Sequence, residues 1–238
     1  MSSDSFTIGF DYEVYAHEGL PVPITVSIRN HLIVVGGTGS GKSTALLYWL
    51  FKARNLPCKY YIADFKASGE LSGITPYYAE FEQCYSLIKN FYGMFLQTPE
   101  GGDGSIKILL IDEIAGMLSH LGMNKIDKTK ADEIRSMLST ISMLGRSRDI
   151  FLWLSCQRYS ATIFSSSSGA GDNFNVCVGL GHLTPDGRKG LFSGMELENE
   201  SSLLMGQGKG IVFIEGLPLK SIILPRLSKK KLQEILRQ

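Results

Sequence analysis

From residue 31 onward the chain alternates two apolar patterns. Short runs that are apolar at consecutive positions occur at 31–37 ("HLIVVGG"), 58–65 ("CKYYIADF"), 106–113 ("IKILLIDE"), 150–157 ("IFLWLSCQ") and 174–181 ("FNVCVGLG"). They are β-branched or aromatic, as strands buried on both faces are. Between them the apolar residues fall three and four apart. Residues 80–97 place Phe81, Cys84, Tyr85, Ile88, Phe91, Tyr92 and Phe95 on one helical stripe, and residues 131–146 do the same with Ile134, Met137, Leu138, Ile141 and Leu144. That alternation predicts an α/β fold with a mainly parallel sheet and helices on both faces.

The ends of the chain read differently. Residues 1–30 are an irregular lead-in, short of helix signals, with one strand in "PVPITVSI". Two late runs, 208–216 and 219–225, joined by a turn around Gly216 and Pro218, predict an antiparallel hairpin at the sheet's edge. "RLSKKKLQEILRQ" (226–238) predicts a short basic helix, and "SSSSGAG" (165–171) a loop.

Composition narrows the class without deciding it. The chain has 238 residues, 44% apolar and 20% charged, which suits a single globular domain over 1–238. Cys58, Cys84, Cys156 and Cys177 form no CxxC pair and no zinc spacing, so they read as buried hydrophobes in a reducing, cytoplasmic setting. No apolar stretch approaches the ~20 residues of a membrane span. The net charge of +1 means that any nucleic-acid contact must be local rather than global.

The strongest chemical signal is "GGTGSGKS" from Gly36 to Ser43, placed between a strand and a helix. It fits the phosphate-binding loop G-x-x-x-x-G-K-[ST]. Gly36, Gly37, Thr38, Gly39, Ser40 and Gly41 would curl backbone N–H groups around a polyphosphate, with Thr44 adding a contact. Lys42 would meet the outer phosphates and the Ser43 hydroxyl would ligate Mg²⁺. A second anchor is the strand ending in Asp112 and Glu113. The first acid is placed to hold Mg²⁺, and the second to polarise the water that attacks ATP. "NKID" (124–127) matches a guanine-reading motif but lacks the buried strand that should precede it, so GTP is disfavoured.

Several blocks together resemble the FtsK/SpoIIIE-type DNA translocases of the FtsK–HerA group, whose core is a RecA-like P-loop NTPase. They are "HLIVVGGTGSGKST", "YYIADFKASGEL", "ILLIDEIAGML", "LGRSRDIFLWLSCQRYS", "GHLTPDGRKGLF" and "ESSLLMGQGKGIVFIEG". The resemblance runs from about residue 22 to 225. It implies that Gln157 senses the γ-phosphate from the strand beside the acids. It aligns Arg146 with an arginine inserted into a neighbouring subunit's site, leaving Arg148 as the alternative, and makes Arg188 a late arginine that reaches a nucleotide. Asp64 and Lys66 match the family's Asp-x-Lys and stand equally as an internal ion pair or as site residues.

The resemblance further implies a homo-oligomeric ring, a hexamer, with duplex DNA through its centre. Pore loops would lie at 116–130, with Lys125, Lys128 and Lys130, and at 158–172. The chain reads as a bare motor core, suited to a mobile element, plasmid or conjugation system, with recruiting or membrane partner proteins supplying targeting. A packaging or secretion ATPase acting on single-stranded DNA or protein is the alternative.

Overall fold

The computed structural model describes residues 4–123, 125–164, 169–192, 195 and 206–238. Its parallel strands are β3 (Leu32–Val35), β4 (Cys58–Asp64), β5 (Tyr78–Glu80), β6 (Ile106–Asp112), β7 (Ile150–Cys156) and β8 (Val176–Leu180). β6, β7 and β8 are buried at every position, which is why their sequences are continuously apolar rather than alternating. β5, only three residues long, carried no sequence signal.

The sheet has ten strands in the order β2-β1-β10-β9-β8-β3-β7-β6-β4-β5. β9 (Lys209–Ile214) and β10 (Lys220–Ile223) form the expected antiparallel hairpin. That hairpin is not the edge. β10 pairs onward with β1 (Ser5–Asp11), and β1 with β2 (Pro23–Ser27). The strand expected in "PVPITVSI" is β2, and the rest of the lead-in, expected to be irregular, is corrected by β1 and a short helix. Phe6, Ile8, Ile24 and Val26 alternate inward, Trp49 Nε1 donates to the Ile8 carbonyl at 2.7 Å, and Phe6 stacks on Trp153. α1 (Tyr12–Glu18) joins the two strands, capped by the Asp11 carboxylate accepting from Val14 N–H and closed by Gly19 in the left-handed region.

One face of the sheet is covered by α2 (Lys42–Ala53) and α7 (Lys229–Leu236), packed on Leu32, Val34, Leu110 and Trp153. The other carries α3 (Gln83–Gln97), α4 (Ile114–Met123), α5 (Lys125–Leu144) and α6 (Pro185–Leu191), on Ile33, Val35, Leu109 and Leu154. Among the described residues no helix is long and apolar enough to cross a membrane.

The expected loop at 116–130 is helical instead. Ile114, Met117 and Leu118, at helical spacing, are buried against the sheet and hold α4 in place. Lys130 pairs with Asp127 at 2.7 Å within α5 and Lys128 is exposed. Asn124 lies outside the described residues; Asp127, the other end of "NKID", sits in a helix and not at a strand end. Of the expected loop at 158–172, residues 165–168 also lie outside them. Its described parts contain short 3-10 turns at Ala161–Ile163 and Ala170–Asn173.

Candidate active site

Parallel strands collect their carboxyl ends on one rim, and the rim of β8, β3, β7 and β6 gathers most of the candidate residues. The phosphate loop leaves β3 at Gly36, whose N–H donates to the Cys156 carbonyl of β7 at 3.2 Å. Gly36 has no room for a side chain, since a Cβ would stand 2.4 Å from the Leu180 carbonyl oxygen and 2.5 Å from Ser40 Oγ. Gly37, Thr38 and Gly39 form an exposed tip, and at both glycines a Cβ would meet nothing within 4 Å. At Gly41 φ is +106°, a turn that starts α2 with no side-chain cap. The first amides of α2, at Lys42, Ser43 and Thr44, therefore face the loop, and the helix dipole adds positive potential there.

Lys42 is buried, and its Nζ donates to the carbonyls of Gly36 and, at 3.2 Å, of Gly37. Burial, above all, holds its pKa below the ordinary lysine value, and nearby Lys66 adds to that, while Glu113 and Asp112 oppose it. Ser40 Oγ is buried without a hydrogen-bond partner. A cradle of backbone amides around one desolvated cation, with open space at the tip, fits a polyphosphate.

Across β7 lie the acids. Asp112 is buried at the end of β6 and accepts a 2.6 Å hydrogen bond from Ser155 Oγ. Glu113 follows at φ +63°, a left-handed conformation that a glutamate adopts at a cost of about 1–3 kcal/mol. That turn swings its side chain towards β7, where Oε1 accepts from Gln157 N–H at 3.3 Å. Gln157 thus stands beside the acids, as expected, with its side chain exposed. A serine hydroxyl and one carboxylate supply the hard oxygen donors that Mg²⁺ takes alongside phosphates and water. Ser43 and Asp112 fit that ion, and among the described residues there is no larger ligand cluster to compete with them.

Asp64 pairs in register with Asp112 across β4 and β6 and is fully buried. Burial, and then the charge of Asp112, raises its pKa above the usual carboxylate value. Its hydrogen bonds come from Tyr78 OH and Ser68 Oγ at 3.2 and 3.4 Å, so the side chain is engaged locally and not by Lys66. Two further residues lie beside these groups outside any motif. Ser155, a lone hydroxyl in an otherwise apolar strand, was a readable signal. Glu70 was not: its carboxylate reaches Lys229 of α7 at 2.6 Å, a contact between distant segments.

The arginines divide between the two rims. Arg188 lies half-buried on α6, just past the carboxyl end of β8. Arg146 and Arg148 occupy a 3-10 turn before the amino end of β7, on the opposite rim from the phosphate loop. Seven residues of strand place them roughly 20 Å away. Arg148 is fastened within its own chain, donating to the Thr98 carbonyl and lying over the Phe95 ring. Arg146 projects, with its side chain 62% exposed and only a 3.7 Å approach to the equally exposed Glu215.

No family model matches the sequence, and no curated protein matches it. Solved structures share the fold. The conjugation coupling protein TcpA of pCW3, in its monomer form with ATPγS, is 16% identical with a TM-score of 0.72, over 98% of this chain and 71% of that one. EssC (ATPases 2 and 3) from Geobacillus thermodenitrificans is 17% identical with a TM-score of 0.67, over 99% of this chain. The cytoplasmic domain of the type VII secretion ATPase EccC from Thermomonospora curvata is 17% identical with a TM-score of 0.65, also over 99% of this chain. This chain spans 49% of the EssC chain and 31% of the EccC chain. The shared architecture is that of P-loop NTPase domains, and at these identities the likeness speaks for the fold.

Proposed function

We propose that this chain is an ATP-hydrolysing motor subunit, that copies of it assemble into a ring, a hexamer, and that the ring moves duplex DNA. One observation carries the reading. The phosphate cradle and the Asp112–Glu113 pair share one rim of the sheet, whereas the exposed Arg146 stands on the other, out of reach of its own cradle. A site with its acids in one copy and its projecting cation in the next suits hydrolysis at a seam between copies.

In this reading the amides from Gly37 to Thr44 and the ammonium of Lys42 bind the triphosphate, while Ser43 and Asp112 hold Mg²⁺. When bound, that ion would supply neutralisation of phosphate charge. Glu113 orients and polarises the attacking water, which becomes bonded to the γ-phosphorus as the bond to ADP breaks. Gln157, touching Glu113 through its own N–H, relays the state of the γ-phosphate into residues 158–164. Arg146 from the adjoining copy stabilises transition-state charge, a contribution worth about 10³–10⁵ in rate. Arg188 is a second cation for the nucleotide. Partner proteins provide recruitment.

The structural likeness to a conjugation coupling protein supports DNA as the cargo. The likeness to EssC and EccC supports a second reading, in which the moved substrate is a protein. Steady-state ATP hydrolysis measured alone, with duplex DNA and with single-stranded DNA tests the two. The DNA-motor reading expects the rate to rise several-fold with duplex and less with single strands. Equal rates in all three would remove DNA from the account and leave the protein substrate.

A further inference from the structure

Glu70 stands outside the phosphate loop and the acidic strand, yet the fold fixes it from several sides. After β4 the chain turns back through Ala67 and Gly69, both in the left-handed region at φ +48° and +69°. Leu71, 1% exposed, then enters the core with Leu46 and Leu50 of α2 and Leu232 of α7. The backbone on either side is held from α7. Gln233 Nε2 donates to the Glu70 carbonyl at 2.9 Å, and Arg237 donates to the carbonyls of Ser72 at 2.8 Å and Gly69 at 3.2 Å.

The Glu70 carboxylate meets two donors. Lys229 Nζ reaches Oε1 at 2.6 Å, and the Ser43 hydroxyl is the second. Burial pushes the Glu70 pKa up, but the hydrogen bonds from Lys229 and Ser43 outweigh it and hold the group below the ordinary glutamate value. An ionised carboxylate only accepts, so the Ser43 proton points to Glu70 and the oxygen lone pairs stay free for another partner. Oxygens and nitrogens that hold metals are set in this way, by a hydrogen-bonded group one step further out. An ion pair between side chains 39% and 28% exposed adds little stability by itself. Its consequence lies at Ser43.

We propose that Glu70 is a positioning residue for the metal site, taking the Ser43 proton so that the hydroxyl oxygen is left for Mg²⁺, and that Lys229 holds Glu70 to this task. The C-terminal helix thereby sets how tightly the ion is bound. The inference rests on the nucleotide- and Mg²⁺-binding reading above and extends it to two residues that no phosphate motif includes.

Calorimetric titration with the slowly hydrolysed analogue ATPγS, once with Mg²⁺ and once with EDTA, tests it. In the unaltered protein Mg²⁺ should tighten binding. Glu70→Ala should cut that tightening by about tenfold and leave the affinity in EDTA within about twofold of the unaltered protein. The charge swap Glu70→Lys/Lys229→Glu keeps a bridge to α7 but sets an ammonium, which cannot accept, against Ser43. It should lose the tightening as Glu70→Ala does. A swap that keeps the tightening, equal weakening with and without Mg²⁺, or no change in Glu70→Ala would make Glu70 a structural tether only and overturn the proposal. Absence of any Mg²⁺ effect in the unaltered protein would overturn the metal reading itself, and this role with it.

Discussion

His31 sits between Phe151 and Phe174, with Nδ1 accepting the Leu152 N–H at 3.0 Å. Burial, and then the charge of Arg146, lowers its pKa to about 3. The sign of the pH effect follows. An unfolded chain takes up this proton near pH 6.5 and the folded chain does not, so the stability is present above that value and is lost as pH falls towards 3. At pH 5 the loss relative to pH 7 is about 2 kcal/mol. Urea unfolding at the two pH values should show it, and His31→Gln, which keeps an acceptor for Leu152, should lose about 2 kcal/mol less over the same interval. Equal losses in the two proteins would show that His31 does not titrate as argued. Glu113 illustrates what a sequence leaves hidden at this scale. Its place after Asp112 was legible, but the left-handed turn that aims it at Gln157 depends on contacts between strands and has no local code.

Elements were legible where both faces are buried. β3, β6, β7 and β8 show as unbroken apolar runs because nothing on them faces water. β2 was legible as the strand in "PVPITVSI", whereas β1 is half-buried and takes its place only by pairing with β2 and with β10, the latter over two hundred residues away. α4 was hidden by Gly116 and Gly122, and by its start directly after the acids. The C-terminal helix was read as a basic, solvated element, and it has a further role. Lys229 pairs with Glu70, Gln233 Nε2 donates to the Glu70 carbonyl at 2.9 Å, and Arg237 donates to the carbonyls of Ser72 and Gly69, while Leu232 is buried. Together these pin residues 69–72 beside the amino end of α2, where the Glu70 carboxylate meets Ser43. Ending the chain after Arg226 should lower stability by about 2–4 kcal/mol. It should also open 66–73 to limited proteolysis. An unchanged denaturation midpoint and digestion pattern would mean that α7 is an ornament.

At the scale of the whole molecule, the sheet separates what the sequence could only list. Six segments in order pointed to a shared fold, and solved P-loop NTPase domains have it. Which arginine belongs to which site was not legible, because Arg146 and Arg148 are two residues apart and equally basic. The fold distinguishes them by holding half-buried Arg148 over the Phe95 ring and projecting Arg146. The central claim, that one copy's acids and the next copy's Arg146 make a single site, is tested most directly by mixing two inactive variants. Lys42→Ala lacks its own cradle but offers Arg146; Arg146→Ala keeps the cradle and lacks the cation. Each alone should hydrolyse ATP about 10³-fold more slowly than the unaltered protein. Their mixture should recover a substantial part of the rate, because some seams pair an intact cradle with an intact arginine. A mixture no faster than its components, or an Arg146→Ala protein at full rate, would contradict the shared site.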